Sequence, residues 1–551
     1  MAVLSVASLY YSRILIRYLE ARAFKRMQFT KMPALYVRAS IATGAVMMLW
    51  GLDTGSIGPI TAMSTFTESF GEFSATVHGA IVSTLLITGT ISALLAGMLA
   101  DQLGRIAMIS TGAAVFGVGA AIECGAVHLA MFIAGRAIKG LGTGLFVSTV
   151  AVQVCEITPA KTRGFWVAFS QFMLTVGLAL GYFMCYGTGR IAGSSASWRV
   201  PLAIESILGF GFAATTLLVP PSPRWLMAKG RVEKARLVVS QLGISQEEQQ
   251  EMLAQKGQVT VHSPKLSMLQ NIQETFKDFR KAFSGPYRSR TAFGCLLLIF
   301  QQTSGIDGVL YYAPLMFRQA GMASEEATFL ASGVSALLIM VVTIPATIFA
   351  DKWGRRTSTL VGGIGITIIM FLIGSMYAAD LVHPDGGAGR WVVIISIYMF
   401  AIVFNMTWAI CMKAFLVESL PRETRSSGAA LGQCSNWLAN FVVALTTPPF
   451  LAASSYGPYF FFGGCTLLSV IFCAIWMTET KNQSLEAIEA AYLQRRLEKT
   501  GGKSQWSVNV NEQTTDTSEN SSVISPRRER ENWLGAAAAA GHVHPARALA
   551  S

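Results

Sequence analysis

Twelve times along this chain of 551 residues, a stretch of roughly 20 residues passes with almost no charged side chain. These stretches lie near 39–60, 77–99, 106–125, 127–153, 165–187 and 200–219. Past a polar interval they resume near 291–317, 328–350, 357–378, 391–414, 427–450 and 458–478. A helix of about 20 apolar residues matches the hydrocarbon thickness of a bilayer. Open strands leave backbone groups unpaired in lipid, and barrel strands span it in about 10 residues, so strands are excluded. The expected fold is therefore all-α: a polytopic membrane protein with twelve transmembrane helices. Charged residues make up 13% of the chain, against about 25% in soluble domains.

The same arithmetic excludes several functions. All eight cysteines (Cys124, Cys155, Cys185, Cys295, Cys411, Cys434, Cys465, Cys473) fall inside apolar runs. No CxxC pair and no histidine partner accompanies them, so neither a disulfide scaffold nor a metal site is expected. The net charge of +12 does not point to nucleic acid, which needs a basic face on a polar domain. Here the basic residues sit between the apolar runs. No nucleotide-binding loop, triad spacing or cofactor motif is present, so no enzyme is expected and no cofactor is implied.

Lys and Arg also set the orientation. The head carries Arg13, Arg17, Arg22, Lys25, Arg26, Lys31 and Arg38 against the single acid Glu20, and the interval at 220–290 is strongly basic. Alternate connectors, 61–76 and 451–457, carry none. With an even span count, both termini are expected in the cytoplasm. The expected organisation is a cytoplasmic N-terminal segment at 1–38, a six-helix bundle at 39–219, a cytoplasmic linker at 220–290, a second bundle at 291–478 and a largely disordered tail at 479–551. Met1–Tyr11 is apolar but too short for a span and fits no signal peptide; a surface helix, or a later start at Met27 or Met32, remains open. The glycosylation sequon at Asn520 falls in the tail.

The chain resembles itself across the linker. Asp101 and Arg105 follow span two as Asp351, Arg355 and Arg356 follow span eight, an offset of 250 between the two aspartates. Glu156 and Arg163 follow span four as Glu418 and Arg425 follow span ten, an offset of 262 between the two glutamates. Two pseudo-symmetric six-helix bundles joined by a basic linker are the architecture of rocking secondary transporters, with the substrate site near the midplane. The paired acids and arginines mark a gate on the linker face.

An ionisable residue within a span is costly and marks function by default. Asp53 in span one, Arg136 in span four and Glu205 in span six are of this kind. Lys139, three residues after Arg136, either snorkels or lines the same face. Glu123 is expected at the interface, and His78, His128 and His383 are expected to be exposed.

At this point a resemblance becomes specific. The chain resembles sugar porters of the major facilitator superfamily, most of all fungal members. The strings that carry it are Gly51-Leu-Asp53-Thr-Gly55-Ser-Ile-Gly58, Gly135-Arg136 through Gly144, Pro221-Ser-Pro223-Arg224-Trp225-Leu226, Gln301-Gln302-Thr-Ser-Gly305-Ile-Asp307 through Tyr311-Tyr312, and Glu479-Thr480-Lys481. The resemblance covers about 39–490 and implies a major facilitator fold in the plasma membrane. It further implies alternating access, with a small polyhydroxylated solute, protons and the lipid bilayer as partners. The acid at Asp53 would carry the proton, tuned by Arg136 and with Glu205 nearby; a static ion pair is the alternative. Gln171, Gln301, Gln302, Asp307, Trp408, Lys413 and Asn436 stand at or beside the family's solute-contact positions, and Tyr311 and Tyr312 would gate or line the outer path. Gate pairs Asp101/Arg163 and Asp351/Arg425 follow from the same pattern.

Departures cluster in span ten, where Trp408-Ala-Ile-Cys-Met-Lys413 replaces a Trp-Gly-Pro motif and puts lysine where a second tryptophan belongs. Asp307 replaces an asparagine. Either the two compensate as an internal pair, or Lys413 binds a carboxylate and the solute is quinate, a sugar acid or another acidic metabolite. A nutrient receptor of the same fold is a further alternative.

Overall fold

The computed structural model describes residues 33–159, 162–191, 193–254, 268–285, 287–322, 324–383 and 387–481, together with 488 and 492. The expectations for Met1–Tyr11, for the basic head before residue 33 and for the tail around Asn520 lie outside the described residues. The chain divides into two compact units, Met1–Leu485 and Glu486–Ser551. Of the second, only Ile488 and Tyr492 are described, both helical.

The first unit holds the twelve spans. Span one is two helices, Leu35–Ala45 and Met47–Ala62. Spans two to six are Ala75–Leu103, Arg105–Cys124, Leu129–Ile157, Arg163–Thr188 and Ala196–Thr216. Span seven is again two helices, Arg288–Thr303 and Ile306–Gln319. Spans eight to twelve are Glu325–Trp353, Arg355–Ala378, Ala388–Ser419, Arg425–Ala453 and Gly457–Trp476. Ten of these are long and apolar enough to cross a membrane by composition alone. Spans six and eleven fall short because they carry Arg199 and Glu205, and Gln433, Asn436 and Asn440.

Turn chemistry explains the corners. Gly104 between spans two and three has φ 102° and Gly354 between spans eight and nine has φ 80°, a backbone region that side-chain-bearing residues avoid. Span seven breaks at Gly305, which is left-handed at φ 88°, and a Cβ there would sit 2.6 Å from the Phe462 ring. At this break Gln301 and Gln302 are buried, at 2% and 6% exposure, so their amides face protein groups. In the linker, Ser222 caps Pro223–Ala228 by accepting from Trp225 N. With Val232–Gln241 this helix buries Leu226, Val238 and Leu242 against Ile157 and Val219.

Without a hydrophobic drive between helices in lipid, small residues that admit close backbone contact hold the bundles. A Cβ on Gly144 of span four would lie 2.1 Å from Ser92 Oγ and 2.2 Å from Gly89 O in span two. Between the bundles, span one meets span seven where a Cβ on Gly58 would lie 2.1 Å from Tyr311 O. Span two meets span eleven where one on Gly79 would lie 2.2 Å from Leu445 O. Tyr312 OH donates to Ala444 O within the second bundle at 2.7 Å, and Tyr182 OH of span five donates to Leu310 O. These bundle-to-bundle contacts lie between the midplane and the end away from the linker. Gly144→Val is expected to lower the melting temperature of the purified protein through overpacking, about 1–3 kcal/mol. Gly97→Ala, where nothing lies within 4 Å, is expected to leave it unchanged.

Candidate functional site

The spans with polar interiors place two clusters side by side. The first is ionic and lies wholly in the first bundle. Arg136 donates to Asp53 through Nη1–Oδ1 at 3.0 Å and Nη2–Oδ2 at 3.4 Å, and Nη2 also reaches Val82 O at 3.2 Å. Lys139 Nζ lies 2.8 Å from Asp53 Oδ1, 2.8 Å from Glu123 Oε2 and 2.6 Å from Glu205 Oε2. Ser56 Oγ donates to Glu205 Oε1 at 2.6 Å. None of the five charged side chains is more than 2% exposed.

The structure thus brings Asp53, Arg136 and Glu205 together and corrects the placement of their neighbours. Lys139 lines the face of Arg136 instead of snorkelling, as its three-residue spacing allows. Glu123 is not interfacial. Its position next to the end of span three suggested a wet location, but Gly135 lets the backbones close so tightly that a Cβ there would meet Glu123 Cγ at 2.8 Å. His128 and His383 are exposed. His78 is not: it is half-buried, bonds Thr61 Oγ1 at 2.9 Å and stands edge-on to Tyr312 at 5.3 Å.

The second cluster is built of amides at the break in span seven. Gln301 Nε2 donates to Trp408 O at 2.9 Å, Asn436 Nδ2 to Gln301 Oε1 at 3.1 Å, and Gln302 Nε2 to Asn436 Oδ1 at 3.2 Å. One helical turn from Asn440, Trp437 stacks on Trp50 of span one, centroids 5.3 Å apart. Three buried polar atoms beside this network have no protein partner: Trp50 Nε1, Gln302 Oε1 and Asn440 Oδ1. Buried groups of this kind call for an explanation.

Gln301, Gln302 and Asn436 therefore converge. Gln171 does not join them by a hydrogen bond; it is half-buried on span five. Trp408 is a correction: fully buried, it donates through Nε1 to Thr359 O at 2.9 Å and packs inside the second bundle, with no accessible face for a solute. The expected Lys413–Asp307 pair is corrected as well. No N···O contact of 4.0 Å or less joins the two. Trp50 and Asn440 were missed by sequence reasoning; each stands one helical turn from a flagged residue, Asp53 and Asn436 respectively.

At the linker face the two halves repeat one another. Arg105 contacts Glu156 at 3.1 Å and Arg355 contacts Glu418 at 2.9 Å, each pair inside its own bundle. Asp101 pairs with Arg105 at 2.7 Å instead of with Arg163, since both lie at the same tight corner. Arg425 donates to Leu420 O at 3.2 Å, while the Asp351 side chain lies outside the described residues. Arg356 donates to Ala474 O at 2.8 Å. Glu479 accepts from Arg355 N at 2.8 Å, Arg356 N at 3.1 Å and Thr357 N at 3.4 Å, capping span nine. At the matching corner of the first half, Pro221 offers no such carboxylate, and Trp225 covers Gly104 and donates to Asp101 O at 2.9 Å.

Burial pushes the Glu479 carboxyl up, but the backbone N–H groups of Arg355, Lys481, Thr357 and Thr480 outweigh it and hold it below its ordinary value. A depressed carboxyl contributes stability above its unfolded pKa, about 4.3, and loses it as pH falls through the folded value. Glu479→Ala is expected to cost about 1 kcal/mol and to flatten the acid side of a melting-temperature profile.

The family described as Sugar (and other) transporter matches residues 39–492. A high-affinity glucose transporter of Kluyveromyces lactis is 26% identical, over 87% of this chain and 89% of its own. A quinate permease of Neurospora terricola is 28% identical, over 83% and 88%. The proton:xylose symporter XylE bound to 6-bromo-6-deoxy-D-glucose superposes with a TM-score of 0.67 at 25% identity, covering 83% of this chain and 99% of XylE. A partially occluded, inward-open structure of XylE from E. coli gives 0.65 at 23%, over 82% and 99%. Matched along most of its length, and folded as twelve helices in two related bundles, this multi-pass membrane chain belongs to the sugar (and other) transporter family.

Proposed function

We propose that the protein moves a small polyhydroxylated solute across the plasma membrane by alternating access, in symport with a proton, with both termini in the cytoplasm. The observation that carries this reading is the set of unpaired polar atoms between the bundles, one indole donor and two amide acceptors beside a stacked Trp50–Trp437 pair. A hydroxyl both donates and accepts, and a sugar ring presents several around an apolar face, so a polyol satisfies all three atoms while its ring packs on indole. The relatives' printed substrates, glucose and xylose, have this chemistry.

Span one couples the two clusters. Trp50 faces the amide site and Asp53, three residues on, faces Arg136 and Lys139. A change in the ion pairs at Asp53 therefore displaces the helix that carries the stacking ring. With the linker in the cytoplasm, the contacts at Gly58, Gly79 and Tyr182 lie on the outer side, so this is the state in which the outer path is shut. Solute is released unchanged: the site offers hydrogen bonds and no nucleophile poised by a base.

A second reading rests on Lys413, which has no ion-pair contact with Asp307. There an ammonium remains to bind a carboxylate, and the solute is an acid such as quinate, the substrate named for the Neurospora relative. Uptake of hexoses, galacturonate and quinate, measured side by side, separates the two. Under the first reading hexose uptake dominates, and Asn440→Ala or Gln302→Ala raises its half-saturation about tenfold, for a hydrogen bond of about 1.4 kcal/mol. Under the second, quinate uptake dominates and is lost in Lys413→Gln. Asp53→Asn is expected to abolish uphill accumulation while sparing counterflow exchange; accumulation that survives removes Asp53 from the coupling path.

A further inference from the structure

The ionic cluster contains three carboxylates, Asp53, Glu123 and Glu205, and two cations, Arg136 and Lys139, all buried in one place. Fully ionised, they sum to one negative charge. An uncompensated charge at this depth is strongly unfavourable, and a single proton on any one carboxylate removes it. The contacts rank the three. Asp53 has both oxygens on the Arg136 guanidinium and one also on Lys139. Glu205 accepts from the Ser56 hydroxyl through Oε1, while its Oε2 lies 2.6 Å from Lys139 Nζ as an ion pair without a hydrogen bond. Glu123 has Lys139 alone, and its Oε1 is buried without a hydrogen-bond partner.

We propose that Glu123 is the carboxyl on which this cluster holds its proton, with Lys139 as the common counterion that lets the proton's presence be felt at Asp53 and Glu205. The charged groups facing Glu123 are Lys139 and Arg136 of span four, Asp53 of span one and Glu205 of span six. Arg199 of span six binds the carbonyls of Cys124 and Ala126 beside it. Glu123 stands next to the last residue of span three, at the end away from the linker, so it is the acid of the cluster nearest the outer face. Uptake forms one O–H bond at Glu123 with a proton from solvent and takes the cluster from minus one to zero; release returns the same proton to solvent. Loss of the proton leaves the Lys139 ammonium shared among three anions, which draws spans one, three and six onto span four. That this proton is the one transported with solute rests on the symport reading above; its residence on Glu123 does not.

Infrared spectroscopy of the purified full chain at neutral pH tests the assignment without any solute. The C=O band of a protonated carboxylic acid is recorded with carbon-13 in the side-chain carboxyl of glutamate, then of aspartate. We expect a buried-acid band that shifts with the glutamate label, disappears in Glu123→Gln, and keeps its label sensitivity in Glu205→Asp. If Glu123→Gln does not fold, Glu123→Asp carries the test: the band then loses its response to the glutamate label. A glutamate band that survives Glu123→Gln or Glu123→Asp overturns the proposal, as does its loss of label sensitivity in Glu205→Asp, or the absence of any glutamate band. Proton flux during solute uptake is read separately. A wild-type band without solute-linked proton movement removes the symport reading and leaves the proton site standing.

Discussion

Every polar group sunk into lipid must find its partner within the protein, and the three-way contact of Lys139 is where that demand is most concentrated. One ammonium lies within 2.8 Å of carboxylates on spans one, three and six from its place on span four. Two of its N–H bonds are given to Asp53 and Glu123, so removing Lys139 would leave three buried carboxylates with Arg136 as their one remaining cation in the cluster. Glycines at the helix contacts are a consequence of the same demand, because side chains of this length meet only if the backbones nearly touch.

The two bundles, related by repeat, have divided the work. Matching Arg–Glu pairs at Arg105/Glu156 and Arg355/Glu418 preserve the common ancestry of the linker face. At mid-depth they differ completely. The first bundle concentrates charged groups, while the second offers amides around a broken helix, together with one carboxyl, Asp307, and one amine, Lys413. In the proposed cycle the first half carries the proton and the second exchanges hydrogen bonds with solute, and span one, bearing both Asp53 and Trp50, links them.

Much of this was legible in the sequence. Apolar run length dictated the helices, and the repeated Asp-Gly-Arg and Glu–Arg spacings revealed two halves. Asp53, Arg136 and Glu205 stood out because charge within a span has no other excuse. What was not legible depended on distances between helices. Glu123 sits one residue from a helix end, where sequence alone suggests water, and only the close packing of spans three and four buries it. Trp408 carried a familiar motif, yet its ring turns toward span nine, and the indoles that meet between the bundles are Trp50 and Trp437. Asp307 and Lys413 allowed either a compensating pair or a carboxylate site, and the tertiary packing leaves them outside ion-pair distance. A one-dimensional pattern reports which residues a helix carries on a face, and the facing partner belongs to the tertiary packing.

The central claim is that an ionic cluster in one bundle and a hydroxyl-binding site between the bundles are parts of one cycle. Simultaneous recording of proton entry and labelled-solute entry in proteoliposomes tests it most directly. The account predicts that the two fluxes rise together in fixed proportion, near one proton per solute for a cluster short of a single positive charge. Solute entering at full rate with no accompanying proton would contradict it.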